Sequence, residues 1–316
     1  IQHIIYFGLI NLGVVLIGYH LIKRAMIWQS WLLLLVSIYA VYLIFLYDHP
    51  IARMLSLIAL TFTAMKVIAV AESYKAKPLT LTFKQWVVFA TGWAGMRAEP
   101  FETLGAKALP NAWPMIGSGV SRMVMGGVLI LSAHLILPLH LNESLTYAVV
   151  SVLLLVGLSL ILHFGLLSIG AGSWRLSGVN TYFLFKQPAH ALSLTEFWSK
   201  RWNLAFTEMT SIAIFRPLRK KTGPAIALML AFIFSGLLHE LALSVPVNHG
   251  YGLPLLYFII QGLLVLVEKA LASRHVMFLK NKAVAHAWVF FWLVAPAPLL
   301  FHTQFIKQIV WPLSGL

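Results

Sequence analysis

Residues 224–244 read Pro224-Ala-Ile-Ala-Leu-Met-Leu-Ala-Phe-Ile-Phe-Ser235-Gly-Leu-Leu-His239-Glu240-Leu-Ala-Leu-Ser244, and this stretch decides the fold. No polar side chain occurs from Ala225 to Phe234. As a helix rising about 1.5 Å per residue, the stretch is about 30 Å long, the thickness of a bilayer's hydrocarbon core. The pattern recurs from Ile4 to Ile22, Trp28 to Tyr47, Ile51 to Ala71, Val120 to Leu141, Leu145 to Ile169, Leu253 to Leu271 and Val284 to Phe301. The predicted fold class is therefore all-α, a polytopic transmembrane helical bundle of about eight spans. It is expected to form one domain over residues 1–316.

Composition agrees. The chain is 60% hydrophobic and 10% charged, with a mean hydropathy of +0.87, whereas soluble globular domains carry about 25% charged residues. Cysteine is absent, which excludes disulfides, zinc-thiolate sites and a thiol nucleophile. Lys23-Arg24 follows the first apolar run instead of preceding it. No small-residue cleavage signature comes after it, which argues against a secretory signal peptide.

The net charge of +14 is explained by topology. With the N-terminus outside, twenty of the 23 Lys and Arg residues fall in the inner loops or at their edges, Arg122, Lys280 and Lys282 among them. Arg53 and Lys307 lie outside, and Lys66 lies within a span. Such asymmetry predicts an even number of crossings with cytoplasmic basic loops. It favours anionic lipid headgroups or an anionic substrate as partners, and no nucleic-acid module is present. The sequence leaves the oligomeric state open.

Two inner loops are long, residues 72–119 and 170–223. The first contains Trp86-Val-Val-Phe-Ala-Thr-Gly-Trp93-Ala-Gly-Met-Arg97, too short to span and suited to an interfacial or re-entrant segment. In the second, Ser193-Leu-Thr-Glu196 is a capping-box pattern and Pro217 is a helix breaker, so a helix is predicted from Leu194 to about Phe215. Its apolar stripe would hold Trp198, Trp202, Ala205, Met209 and Ile212, and its polar face Glu196, Lys200, Asn203 and Thr207. No repeat or pair of broken helices of the kind used by inverted-repeat transporters is visible.

Ionisable groups inside spans are costly, about 2.5–3.5 kcal/mol at mid-helix, so His239 and Glu240 stand out. Low-dielectric surroundings disfavour a charged imidazole, and a neutral one can accept a proton from a hydroxyl. Ser235, one turn earlier, could fix the ring's tautomer. Glu240 projects about 100° away around the helix, making Arg201 or Trp202 a better partner for it than His239. The plainer reading is that His239, like His134 and His163, is interhelical glue. No second histidine follows His239-Glu240 by a turn, so a zinc-protease helix is excluded and no metal site is predicted. Ser118 and Ser168 lack the flanking glycines of a nucleophile elbow.

The run Pro188-Ala-His-Ala-Leu-Ser-Leu-Thr-Glu-Phe197-Trp-Ser-Lys-Arg201-Trp-Asn203, followed by Ser235-Gly-Leu-Leu-His239-Glu240, resembles the wax synthase branch of the membrane-bound O-acyltransferases (MBOAT). Gly95-Met-Arg97 and Trp174-Arg-Leu-Ser-Gly178 extend the resemblance over roughly residues 90–245. It implies an MBOAT-like tunnel that acyl-CoA enters from the cytoplasm and a lipid alcohol from the bilayer. No cofactor is implied beyond acyl-CoA as co-substrate. By motif, His239 matches the general base and Asn203 the second catalytic residue. Trp198, Arg201, Trp202, Ser235 and Glu240 become candidates for substrate binding. Lys200 and Arg216, close to the motif, are candidates for the CoA phosphates, although a basic run such as Arg219-Lys220-Lys221 also serves as a topology anchor. Sterol, diacylglycerol or a specialised metabolite are alternative acceptors. A proton-coupled lipid or small-molecule transporter is the alternative function. One conflict stands: with Asn203 near the inner face, His239 lies about 22 Å up its helix. Either the motif helix dips into the membrane or the span begins lower.

Overall fold

A computed structural model describes residues 1–139, 142–274 and 281–316. Its α-helices as far as Val294, in chain order, are α1 (Gln2–Lys23), α2 (Ile27–Ile44), α3 (Pro50–Tyr74), α4 (Phe83–Gly92), α5 (Ala112–Ile136), α6 (Glu143–Ser159), α7 (Leu167–Leu176), α8 (Leu194–Glu196), α9 (Leu204–Thr210), α10 (Arg216–Thr222), α11 (Pro224–His239), α12 (Leu253–Ser273) and α13 (Lys282–Val294), and short helical turns follow. Among the described residues, 8 helical stretches are long and apolar enough to cross a membrane. The protein is an integral, multi-pass, all-helical membrane protein. The fourth and fifth spans run longer than the hydropathy suggests, Ala112–Leu139 and Glu143–Leu176, which takes Arg122 and Arg175 into helix. The expected end at Leu141 and the basic residue Lys280 lie outside the described residues.

The chain divides into two compact units, Ile1–Ala98 with Lys186–His302, and Glu99–Phe185 with Thr303–Leu316. In the first, α1 and α2 pack on α3 and on each other, and α3 is buried along most of its length. Two cations on α3 are buried with it. Arg53, read from the sequence as an outer charge, is 5% exposed. It donates to the carbonyls of Phe45 (3.0 Å), Leu46, Asp48 (3.1 Å) and Pro246 (3.1 Å). It thereby satisfies acceptors that the end of α2 leaves without helical partners. Lys66 donates to the carbonyls of Phe89 (3.0 Å), Ala90 (2.8 Å) and Trp93. These close the C-terminal end of α4, where the helix dipole favours a cation.

The short aromatic segment of the first loop is α4. Thr82 and Gln85 form its capping box. Trp86 is fully buried and donates its indole N–H to the Val15 carbonyl of α1 at 2.9 Å.

The second loop departs from its prediction. Instead of one helix over 194–215, the chain forms α8, a π-helical turn at 197–201, a break at Trp202 and Asn203, α9, a second π-helical turn at 211–215, and α10. The N-terminal cap holds, with Ser193 Oγ accepting from Glu196 N at 2.9 Å. The break follows from Asn203, whose φ of 40° and ψ of 68° place it in the left-handed region that Asn tolerates better than most residues. Pro217 does not end the helix. It falls in the first turn of α10, where a missing N–H costs least, and the widened turn ahead of it absorbs the clash.

α11 runs against α12. Their backbones approach closely at Gly236 and Gly262, where an added Cβ would come within 2.8 Å of Leu255 and 2.9 Å of Met229 Sδ. The core here combines Leu194 and Phe197, Phe232 of α11, Tyr257, Phe258 and Val265 of α12, and Val289 of α13.

In the second unit, α5 packs along α6, α7 and the π-helical turn 160–166 that joins them. The contact is made of glycine. A Cβ on Gly119 would meet the Gly165 carbonyl at 2.7 Å, one on Gly126 the Gly157 carbonyl at 2.5 Å, and one on Gly172 the Ala112 carbonyl at 2.6 Å. Small residues at such spacing let membrane helices touch backbone to backbone.

Candidate active site

A cavity of about 310 Å³ opens within the first unit. One wall is a single face of α11, carrying Leu228, Ala231, Phe232, Ser235 and His239, positions that share a face at helical spacing. The broken motif supplies Trp198, Trp202, Asn203, Phe206, Thr207 and Thr210, and α12 supplies Phe258, Val265 and Lys269.

His239 is the last residue of α11, and a π-helical turn begins at Glu240. Its Nδ1 lies 2.7 Å from the Ser235 carbonyl oxygen. A carbonyl only accepts, so Nδ1 carries the proton, and in the neutral ring Nε2 holds the basic lone pair. The tautomer is set by the backbone of Ser235 and not by its hydroxyl. Two aromatic rings hold the imidazole in place: Phe206 at a centroid distance of 5.1 Å and Phe258 at 4.3 Å.

Asn203 lies on the same cavity, and its Oδ1 accepts from Phe206 N at 3.4 Å. With the oxygen used as a helix cap, the amide NH₂ is the end left to donate. The separation expected between Asn203 and His239 is removed by the path of the motif. After the break, α9 packs against α11, and Phe206, the residue that Asn203 caps, rests on the His239 ring.

Of the residues singled out in the sequence, Trp198, Trp202, Asn203, Ser235 and His239 line the cavity. Trp202 stacks on Phe197 at 5.4 Å with an interplanar angle of 14°. Arg201 is not on the lining. Its Nε lies 2.7 Å from Glu196 Oε1, and Nη1 reaches the Lys186 and Gln187 carbonyls. Leu192 N–H, first, and the Arg201 guanidinium hold the Glu196 carboxyl below its ordinary pKa. Glu240 likewise takes neither Arg201 nor Trp202 as partner. Its Oε1 accepts from Leu255 N at 2.9 Å, and Oε2 is buried without a hydrogen-bond partner among the described residues. Lys200 and Arg216 are exposed and off the lining. Among the described residues, the cation on the cavity wall is Lys269.

Several supporting residues are absent from the sequence reading. Glu268, 4% exposed, accepts from Leu194 N (2.7 Å), Thr195 N (2.9 Å), Thr195 Oγ1 (2.9 Å) and Trp288 Nε1 (3.2 Å), anchoring the start of the motif to α12 and α13. Glu208, buried on α9, accepts from Met96 N at 3.2 Å and pairs with Arg97 at 3.2 Å, tying Gly95-Met-Arg97 to the motif. Gln261 has no exposed surface. Gln261 and Glu268 are polar residues within an apolar span, and the rule that singled out His239 applies to both.

Residues 181–260 match the profile of the "Membrane bound O-acyl transferase family". The chain is 29% identical over 152 residues to "Probable long-chain-alcohol O-fatty-acyltransferase 2" of Arabidopsis thaliana, covering 45% of this chain and 44% of that protein. It is 27% identical over 172 residues to "Probable long-chain-alcohol O-fatty-acyltransferase 1" of the same plant, covering 52% and 48%. With the "Long-chain-alcohol O-fatty-acyltransferase" of Simmondsia chinensis it shares 34% identity over 71 residues, 20% of each chain. The matches thus span less than half the length of these relatives. The resemblance to the wax synthase branch is borne out.

Proposed function

We propose, from this resemblance to wax synthases of the membrane-bound O-acyltransferases, that the chain transfers a fatty acyl group from acyl-CoA to the hydroxyl of a long-chain alcohol. The observation that carries the reading is the His239 ring, fixed as the Nδ1–H tautomer by the Ser235 carbonyl on a cavity that also presents Asn203.

The chemistry follows from those two groups. The Nε2 lone pair of His239 takes the alcohol proton as the oxygen attacks the thioester carbonyl. The oxyanion that develops accepts from the Asn203 amide, an interaction whose loss costs about 3–4 kcal/mol in comparable sites. As the C–S bond breaks, the imidazolium returns its proton to the departing CoA thiolate, leaving ester, free thiol and neutral histidine. The apolar and aromatic lining holds alkyl chains, with about 0.8 kcal/mol gained per buried methylene. Lys269, which lines the same cavity as Thr195 and Ser199, is placed to pair with a CoA phosphate. In this reading the basic loops face the cytoplasm, where acyl-CoA is available.

The test is direct. Purified protein in detergent should release CoA thiol from a long-chain acyl-CoA only when a fatty alcohol is present, with the ester detected by mass spectrometry. His239→Ala should abolish the release while the helical circular dichroism persists. Turnover retained in that variant would remove His239 from the base role, and thiol release independent of alcohol would replace acyl transfer with hydrolysis.

A further inference from the structure

Gln261 lies on α12 with no exposed surface. Its Oε1 accepts from the Trp198 indole N–H at 3.1 Å, and its Nε2 donates to the Trp292 carbonyl at 2.7 Å. An indole only donates and a carbonyl only accepts, so both ends of the amide are committed in one orientation. Trp198 in turn faces Phe258 at 5.6 Å, and Phe258 lies 4.3 Å from the His239 ring. The amide is thus the fixed point of a row of rings that ends on the histidine.

We propose that Gln261 is a positioning residue that sets the cross-section of the cavity beside His239 and so selects straight alkyl chains over branched ones. The inference rests on the acyl-transfer reading of the same cavity. Trp198 is a cavity wall, and an indole has two side-chain torsions. Its N–H bond to a fully buried acceptor stops rotation of the ring plane. Without that bond the plane is held by ring contacts alone, which tolerate tilting, and the buried N–H is driven to seek another acceptor. A channel walled by a tilting ring admits a methyl branch that a fixed one excludes.

The experiment compares kcat/KM for a straight-chain alcohol and a methyl-branched alcohol of equal carbon number, in wild type, Gln261→Met, Trp198→Phe and the double variant. A purely structural defect lowers both rates together and leaves their ratio unchanged. The straight-over-branched ratio should fall about tenfold in Gln261→Met, the loss of one buried hydrogen bond. Trp198→Phe should shift it as well, and the double variant should match Trp198→Phe, because Gln261 acts through that indole. A ratio within twofold of wild type in active Gln261→Met overturns the proposal. Should Gln261→Met fail to fold, Trp198→Phe deletes the same bond and leaves Gln261 tied to Trp292, and an unchanged ratio there is equally decisive. Ester formation with an unchanged ratio overturns this inference alone, whereas no ester from wild type with either alcohol overturns the acyl-transfer reading beneath it.

Discussion

The helix contacts of the two units are built differently. α5 meets α6 and α7 through Gly119, Gly126 and Gly172, where a backbone carbonyl is the nearest or joint-nearest atom, and through Gly157 and Gly165, where a carbonyl lies within 3.4 Å. α12 meets the motif that follows Pro188 through side chains, Gln261 holding Trp198 and Glu268 holding Leu194 and Thr195. Backbone-to-backbone contact leaves no room for a substrate and needs no buried polar group. A cavity needs helices held apart, and in an apolar interior long polar side chains do this with their hydrogen bonds satisfied. Glycine dominates the scaffold contact and also brings α11 and α12 together at Gly236 and Gly262, whereas Gln261 and Glu268 hold the motif against α12 around the cavity.

The sharpest test of that contrast is at the braced end. His239→Ala should lower kcat by about 10²–10⁴-fold with an unchanged thermal midpoint, whereas no substitution at the glycine contact should touch kcat before it touches stability. Glu268→Ala strands four donors, each costing about 1–3 kcal/mol when buried and unpaired. A midpoint lowered as far as any single variant's, with loss of activity, is expected. A midpoint equal to wild type would show that the brace is dispensable.

On the scaffold side, Gly126→Ala drives a Cβ toward the Gly157 carbonyl, 2.5 Å away before relaxation, and should cost about 1–3 kcal/mol. KM for either substrate should not change. A shift in alcohol selectivity would break the division between the regions. Lys269→Ala should raise KM for acyl-CoA up to about tenfold, while Lys200→Ala and Arg216→Ala, both off the cavity wall, should move it less than about twofold.

The smallest effect is electrostatic. The folded Glu196 pKa is lowered, so its contribution is present above the unfolded carboxylate pKa of about 4.3 and is lost as pH falls through the folded value. The midpoint difference between wild type and Glu196→Gln should therefore be largest near neutrality and shrink on acidification. A difference that grew as the pH fell would reverse the assignment.

The spans were legible because twenty apolar residues in a row admit few other readings. The His239 and Asn203 pairing was legible as a motif, not as geometry: placing residues 170–223 in an inner loop left Asn203 near the inner face and far from His239, whereas residues 204–222 form helix that packs along α11. The break at Trp202 and Asn203 is hard to foresee, since Asn is nearly neutral as a helix residue and reveals its left-handed conformation only when the neighbouring helices demand it. Arg201 and Glu240 misled for a related reason. Helix geometry turned Glu240 away from His239 and made Arg201 a candidate partner, whereas each is claimed by another group, Glu196 and the Leu255 N–H.

One consequence of the left-handed backbone at Asn203 concerns how the site can be dissected. The residue sits at the break in the motif and, in the proposed reading, also donates to the oxyanion, so the usual alanine replacement confounds the two roles. Glycine keeps the break and deletes the amide; aspartate keeps the break and the cap but removes the donor. Agreement between Asn203→Gly and Asn203→Asp in lost turnover would assign the amide to chemistry, and recovery of activity in Asn203→Gly would assign it to architecture.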